Sequence, residues 1–418
     1  MYFCKEIIHS SMKKNLVVLG SGFGAFSVLK ETDTNLYNVK IISPRNHFLF
    51  TCLLPSTTVG TIEFRSIIEP IRNIKDAEYI QAYCTGISEN NNLIYCKDTD
   101  TKKEFEIKYD ILVISVGEIT NSYNIEGVNK YAYFLREVAD ARRIRIKVID
   151  CFENASLPGL SEEEKKNFLR FFVCGGGPTG VEFAAELHDF IEEDVRKKYR
   201  GFEKLIEIIL IEAGDKLLNS FDAKLSEYTL KIFKRQKINV KTNSYITRVT
   251  ENEIFVNDGS IYNYGLLVWA AGNTATELIR NSTLPKNSRN KLIIDHYLKV
   301  NGSANVYALG DCTEIPDEPF PVTAQTAQRQ GKYLGKALNK IAKGKEIKPF
   351  KYKDLGMLAY IGSHKALANT NQYKGSGFAT WIFWRSVYIT KLVSLKNKIL
   401  VLFDWFKTFV FGRDVSNF

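Results

Sequence analysis

An α/β fold with two doubly wound parallel sheets, followed by a C-terminal amphipathic module, is what this sequence of 418 residues predicts. Two observations of one kind and one of another predict it. The apolar run Leu16-Val17-Val18-Leu19 breaks at Gly20-Ser21-Gly22-Phe23-Gly24-Ala25 and continues into residues suited to a helix. About 155 residues later, Phe171-Phe172-Val173-Cys174 breaks at Gly175-Gly176-Gly177-Pro178-Thr179-Gly180 and again leads into a helical sequence, Val181 to Leu187. The third observation is the tail: residues 342–418 hold thirteen Lys/Arg against four Asp/Glu, so +9 of the +10 net charge lies there, interleaved with aromatic and apolar clusters.

Each glycine run reads as strand, tight turn and helix. Gly20 and Gly175 permit the sharp turn, Gly22 and Gly177 leave room for a pyrophosphate, and small Ala25 and Gly180 let helix and strand pack closely. The helix N-terminus then offers free N–H groups and a positive dipole end to phosphates. Two fingerprints imply two dinucleotides, each in a Rossmann-like domain. After the first, Asn38 to Ile42 reads as the next strand; it ends at Ser43, where an acid usually takes the ribose hydroxyls. After the second, Ile206 to Ile211 ends in Glu212, 32 residues past Gly180. A carboxylate there accepts both hydroxyls of an unphosphorylated ribose and repels a 2′-phosphate, which predicts NADH. Tyr109 to Gly117 and Leu266 to Gly272 are strand-to-glycine returns, and Asn305 to Ala308 reads as a strand leading to Gly310-Asp311. Lys147 to Arg170, with the acidic cluster Glu162-Glu163-Glu164, reads as a surface helical connection. Glu182 and Glu186 share a helix face four residues apart, either as dipole-stabilising acids or with a role at the site.

Composition narrows the classes. The seven cysteines (Cys4, Cys52, Cys84, Cys96, Cys151, Cys174, Cys312) are odd in number and scattered, with no C-x-x-C, which argues against a disulfide scaffold, a zinc site or a dithiol redox centre. No D-x-D-x-D-G calcium loop is present, and no metal is expected. No run of 18 or more apolar residues suggests a spanning helix. The first fourteen residues are too short and too weakly patterned to read as a targeting segment. The basic, aromatic tail suits an anionic membrane surface better than nucleic acid: residues 379–393 and 399–411 have broad apolar faces, with Trp and Tyr for the headgroup zone. A dimerisation surface or a buried core pair is the other reading of these segments.

The stretch Ser43-Pro44-Arg45-Asn46-His47-Phe48-Leu49-Phe50-Thr51, leading to Leu53-Leu54-Pro55-Ser56, resembles the type II (alternative) NADH:quinone oxidoreductases. So do the helix beginning Pro321-Val322-Thr323-Ala324-Gln325 and the tail segments Lys351 to Gly362, Trp381 to Thr390 and Trp405 to Asp414. The resemblance spans residues 15–414 and departs at Cys52, where proline is usual, and at Arg329, where the family has glutamine. It implies non-covalent FAD on Gly20, Gly22, Phe23, Gly24, Ala25, Ser43, Pro44, Arg45, Thr51, Gly117, Gly310, Asp311, Ala324 and Gln325. It places NADH on Gly175, Gly177, Pro178, Thr179, Gly180, Glu182, Glu212 and Gly272, with Glu182 near the nicotinamide. Gln325 and Arg329 then face a membrane quinone of the ubiquinone type, while Gln328 and Gln330 read as surface decoration. The implied activity is hydride transfer from NADH to FAD, then two electrons to quinone, without proton pumping. The expected domains are an FAD domain over 13–145 and 291–345, an NADH domain over 146–290 and a docking module over 346–418. Peripheral attachment to the mitochondrial inner membrane as a homodimer is also expected, with no nucleic-acid partner. Two rivals differ in class: a sulfide:quinone oxidoreductase-like enzyme, which needs reactive cysteines and no Glu212, and a non-enzymatic NADH-sensing flavoprotein. A flavin disulfide reductase would need paired cysteines after the first fingerprint, where Cys52 stands alone.

Overall fold

The computed structural model describes residues 13–74 and 76–416; the first twelve residues, with Cys4 and most of the segment read above for targeting, lie outside them. The described chain falls into two compact units, one of residues 13–48, 70–119 and 275–352, the other of residues 49–69, 120–274 and 353–416.

The first unit is built on a five-stranded parallel sheet in the spatial order Val306–Ala308, Ile111–Ile114, Lys14–Leu19, Tyr37–Ile42 and Ala77–Ile80. Its central strands are uninterrupted apolar runs because both faces are covered: Leu16 to Leu19 and Ile111 to Ile114 are buried throughout. Helix Phe23–Glu31 follows the first strand, and helix Ala324–Ala342 packs across it. Glycines set that close crossing, since a Cβ on Gly331 would lie 2.4 Å from the Gly24 carbonyl oxygen and one on Gly335 2.7 Å from that of Val28. A separate antiparallel sheet, Ala82–Ser88, Leu93–Asp98 and Glu104–Lys108, completes the unit's larger elements.

The second unit repeats the parallel plan with Tyr133–Phe134, Leu266–Trp269, Arg170–Cys174, Glu207–Ile211 and Ile238–Lys241. Pairing of Tyr133–Phe134 with Val268 and Trp269 draws residues 120–145 into this unit, ahead of the 145/146 boundary expected from the nucleotide motifs. The connection expected from Lys147 starts earlier, with helix Val138–Ala155, which lies at the surface with Arg142, Arg143 and Glu153 in solvent and its other face packed inward. Its apolar stripe of Ile144, Val148, Ile149 and Phe152 is buried. The short helix Glu162–Phe168, capped by Ser161 and with no buried residue, is solvated as expected.

The tail forms a three-stranded antiparallel sheet, Met357–Tyr360, Ala366–Asn369 and Lys374–Gly377, then helices Phe378–Lys391 and Leu395–Phe411. The last helix is turned inside out. Two of its polar residues face inward: Asn397 Nδ2 donates to the carbonyls of Ser66 and Ile68 at 3.0 and 2.9 Å, and Asp404 accepts from Glu63 N at 3.0 Å and the Ser66 hydroxyl at 2.5 Å. Leu395, Ile399, Phe403, Phe406 and Phe409 face solvent, the last 85 % exposed. One expectation is corrected here. Trp381, Trp384 and Trp405 do not project outward; all three are buried, and the Arg385 guanidinium lies 4.0 and 4.4 Å from the ring centres of Trp381 and Trp405. Among the described residues no helix is long and apolar enough to cross a membrane.

Candidate functional site

In the first unit the glycine turn has the geometry its sequence demands. Gly20 sits at φ +111°, and a Cβ there would come within 2.2 Å of the Ser115 carbonyl oxygen, so only glycine fits. Gly22 has nothing within 4 Å of the Cβ position. Gly24 closes on Leu309 and Ser115, Ala25 is fully buried, and the Phe23 ring meets Phe48 edge-on at 4.9 Å. The helix that follows has Gly22 as its N-cap, with no side chain capping it and no acid in its first turn, which suits an anion at its positive end. At the end of the next strand Ser43 is buried and donates to the Ser21 hydroxyl at 3.0 Å, while Arg45 Nε donates to Ser21 Oγ at 3.3 Å and the His47 carbonyl at 3.0 Å. Pro44 beside them is exposed. His47 opens the short strand His47–Leu49 and is neutral: burial, then the Arg45 charge, lowers its pKa to about 4, and its Nδ1 lies 2.9 Å from Asn46 Oδ1.

Gly117 and Gly310 end their strands at φ +65° and +79°. Asp311 follows, partly exposed, with its carbonyl held by Lys291 Nζ at 3.0 Å. Ala324, Gln325 and Arg329 lie on the first turns of the 19-residue helix, whose start Thr323 caps by accepting from Thr326 N at 3.2 Å. Gln325 and Arg329 are one turn apart and both partly exposed, so solvent meets the arginine's charge and no buried carboxylate is required. Gln330 corrects the sequence reading. It is 2 % exposed, and its Oε1 accepts from Gly310 N at 2.7 Å, pinning the helix to the Gly-Asp turn. Gln328 is partly buried. Nothing in the local sequence marks Gln330 as structural, because its partner is a backbone amide 20 residues away.

The second unit repeats the cradle with three glycines in three roles. Gly175 is at φ +113°; Gly177 has open space at its Cβ position; a Cβ on Gly180 would lie 2.0 Å from the Gly175 carbonyl oxygen. Pro178 is exposed at the first position of helix Pro178–Phe190, Thr179 is beside it, and Gly177 caps the helix with no side chain. Glu212 reaches back from the strand end: its two carboxylate oxygens accept from Gly176 N and Gly214 N, both at 2.6 Å. Gly272 closes the neighbouring strand at φ +73°, its carbonyl accepting from Asn121 N at 3.2 Å. Thr51, also in this unit, is exposed at the start of the turn Thr51–Leu53.

The second helix carries a feature the first lacks. Glu182, Glu186 and Asp189 follow one another at four- and three-residue spacing, and all are buried. Glu182 accepts from Tyr360 N at 3.1 Å, and burial raises its carboxyl to about 8, so it is mostly protonated at pH 7. Glu186, also raised by burial, accepts from the Ser56 and Thr61 hydroxyls at 2.7 and 2.6 Å. Burial pushes Asp189 up too, but hydrogen bonds from His188, Tyr360 and Ser363 outweigh it and hold its carboxyl below the usual range. The Tyr360 hydroxyl donates to Asp189 at 2.5 Å. Asp189 was not singled out by sequence reasoning, although its place on the stripe through Glu182 and Glu186 is a legible signal. Cys52 is inert: burial, then the nearby Glu182, raises its thiol to about 12.

Two glycine-cradled βαβ units in one chain, the first closed by a Gly-Asp turn, define a two-dinucleotide flavoprotein. The profile of the pyridine nucleotide-disulphide oxidoreductases matches residues 14–331, and that of the NDH2 C-terminal domain matches residues 355–414. A probable NADH dehydrogenase of Dictyostelium discoideum is 44 % identical over 412 residues, covering 97 % of this chain and 91 % of the relative. The external alternative NADH-ubiquinone oxidoreductase of Yarrowia lipolytica, mitochondrial, is 40 % identical over 473 residues and covers 97 % of this chain and 81 % of its own. The structure of NDH2 from Plasmodium falciparum in complex with NADH superposes with a TM-score of 0.92 at 33 % identity, over 97 % of this chain and all of that one. The chain belongs to the type II NADH dehydrogenases, within the pyridine nucleotide-disulphide oxidoreductases.

Proposed function

We propose that this protein carries reducing equivalents from NADH through FAD to a membrane quinone. The observation that carries the reading is the pair of intact cradles, the second ending in Glu212, within a chain that matches NADH-ubiquinone oxidoreductases along its length. FAD, when bound, supplies the two-electron carrier between a hydride donor and a quinone. The first unit's residues fit it: Gly22 leaves its cradle open, the uncapped amides of Phe23–Glu31 face a diphosphate, and Gly117, Gly310 and Asp311 present backbone and a carboxylate at neighbouring strand ends. In this reading Gly177 and the amides after Pro178 bind the NADH diphosphate, and Glu212 orients the adenosine ribose. Glu182 holds a proton on its carboxyl near neutral pH, so it offers a neutral group beside the nicotinamide. Gln325 and Arg329 present donors to a quinone carbonyl, which stabilise negative charge developing on the oxygen. No sulfur chemistry is needed, and the raised Cys52 thiol speaks against a sulfide-oxidising role.

From the nucleotide motifs we assign FAD to 13–145 and 291–345, NADH to 146–290 and docking to 346–418, a functional division that cuts across the two compact units at residues 49–69, 120–145 and 275–290. The outward face of Leu395–Phe411, apolar where a soluble helix is polar, supports peripheral attachment to an anionic bilayer. Mitochondrial relatives support the inner mitochondrial membrane as its place, and part of the same apolar face would serve a homodimer. Replacing Phe406 and Phe409 by Asp should leave FAD bound but abolish sedimentation with anionic liposomes, since each fully buried Phe contributes about 1.5–3 kcal/mol. Undiminished sedimentation would remove the docking assignment. The catalytic reading is tested by an anaerobic spectrum of purified protein: NADH should bleach the flavin, and a short-chain quinone should restore it. Bleaching without recovery would favour an NADH sensor. Arg329→Ala and Gln325→Ala should slow only the recovery.

A further inference from the structure

Cys84 and Cys96 are far from both nucleotide motifs in sequence, yet they are direct partners on adjacent strands, Ala82–Ser88 and Leu93–Asp98, of the first unit's antiparallel sheet. The neighbours of Cys96 reveal which kind of pair they form. The Asn92 carbonyl accepts from Tyr109 N, and Asp98 N donates to the Lys103 carbonyl, so the even-numbered residues of this strand turn their backbone groups toward Glu104–Lys108. Cys96 has the same phase. Its backbone therefore points away from Cys84, and the two form a non-hydrogen-bonded pair, the closer type, with Cα atoms about 4.5 Å apart in regular sheets. A disulfide spans about 4.4–6.8 Å between Cα atoms. Opposed residues also project to the same face.

The sulfur atoms interact as well. A bulge beyond Cys84 sets Gly86 opposite Tyr95, and the Cys84 thiol donates to the Gly86 carbonyl at 3.4 Å. The contact between the two sulfurs, with burial second, pushes Cys84 up, and the same contact pulls Cys96 down. Cys84 is partly exposed and Cys96 is buried. Tyr109, buried, has a hydroxyl without a hydrogen-bond partner among the described residues; burial, then Glu89 and Cys84, raises its pKa to about 12, so it remains a proton donor beside the pair. Cys151, Cys174 and Cys312 are buried singly, with thiols raised by burial.

We infer that Cys84 and Cys96 form a reversible dithiol–disulfide site that takes hydroperoxides as its oxidant. The Cys96 thiolate attacks one peroxide oxygen; an S–O bond forms, the O–O bond breaks, and the departing hydroxide leaves as water after taking a proton. The Cys84 sulfur then attacks the Cys96 sulfur; the S–S bond forms, the S–O bond breaks, and the second oxygen leaves as water with the Cys84 proton. Two thiols give up two electrons, and hydrogen peroxide becomes two waters. In a reducing compartment the site rests as the dithiol and closes transiently under oxidant. This inference is independent of the nucleotide assignments.

The test uses the full-length holoprotein exposed to hydrogen peroxide, alkylated to block free thiols, digested without reductant and read by mass spectrometry. The expected product is a peptide pair joined through Cys84 and Cys96 that separates again after dithiothreitol. Cys84→Ser should instead leave Cys96 as a sulfenic acid that dimedone captures. Recovery of both cysteines alkylated from treated wild-type protein, or of either one joined to a different cysteine, would overturn the site.

Discussion

The two glycine cradles are near copies in backbone and unlike in what surrounds them. In both, the first glycine has φ above +110° and the second faces open space. The first cradle's strand ends at Ser43, a buried hydroxyl spent on Ser21, and its helix buries no acid. The second ends at Glu212, a carboxylate holding two backbone amides, and its helix buries Glu182, Glu186 and Asp189. In the proposed reading the turn selects a dinucleotide, and the strand end and the helix face decide which one and what is done with it.

The largest expected effect sharpens the backbone half of this comparison. Gly180→Ala and Gly20→Ala each drive a Cβ into a carbonyl oxygen, and should cost about 3 kcal/mol or more in chemical denaturation. Gly177→Ala and Gly22→Ala meet open space and should fold within about 0.5 kcal/mol of wild type. Equal losses at all four positions would show that the glycines have no separate roles.

Next in size is the buried acid. Glu182 has a folded-state pKa of about 8, above its ordinary 4.5, so its protonation contributes stability that is complete below about pH 4.5 and is lost as the pH rises through 8. The loss is at most several kcal/mol. Glu182→Gln has no such group, so its advantage in thermal midpoint over wild type should grow from pH 5 to pH 9. A constant difference across that range would mean that Glu182 is ionised throughout. A smaller effect is expected at the strand ends. Glu212→Gln should narrow the preference for NADH over NADPH about tenfold, or about 1.4 kcal/mol, whereas Ser43→Ala should leave it unchanged. Steady-state kinetics with both nucleotides measures this, and an unaltered ratio in Glu212→Gln would remove the carboxylate from nucleotide choice.

What could be read in advance divides along similar lines. Both cradles, the returns at Gly117 and Gly272 and the strand ends at Ser43 and Glu212 were legible, because each rests on local backbone requirements. The tail helices were legible as elements, but their orientation was not. Apolar periodicity assigns Trp405 outward only if the polar face meets water, and here Asp404 and Asn397 are drawn inward by the backbone of residues 63–68. Gln330 and the Cys84–Cys96 pair were hidden for a related reason. The first depends on where a distant amide lands, the second on strand register next to a bulge.

The central claim is that the first cradle holds the flavin and the second holds NADH. Gly177→Val tests it most directly, because its side chain enters open space in the second cradle alone. The variant should purify with a full complement of FAD, and its flavin, once reduced by dithionite, should be reoxidised by quinone at the wild-type rate in stopped flow. Bleaching by NADH should be at least about tenfold slower, a loss of 1.4 kcal/mol or more. Loss of FAD from the variant, or bleaching by NADH at the wild-type rate, would contradict the assignment.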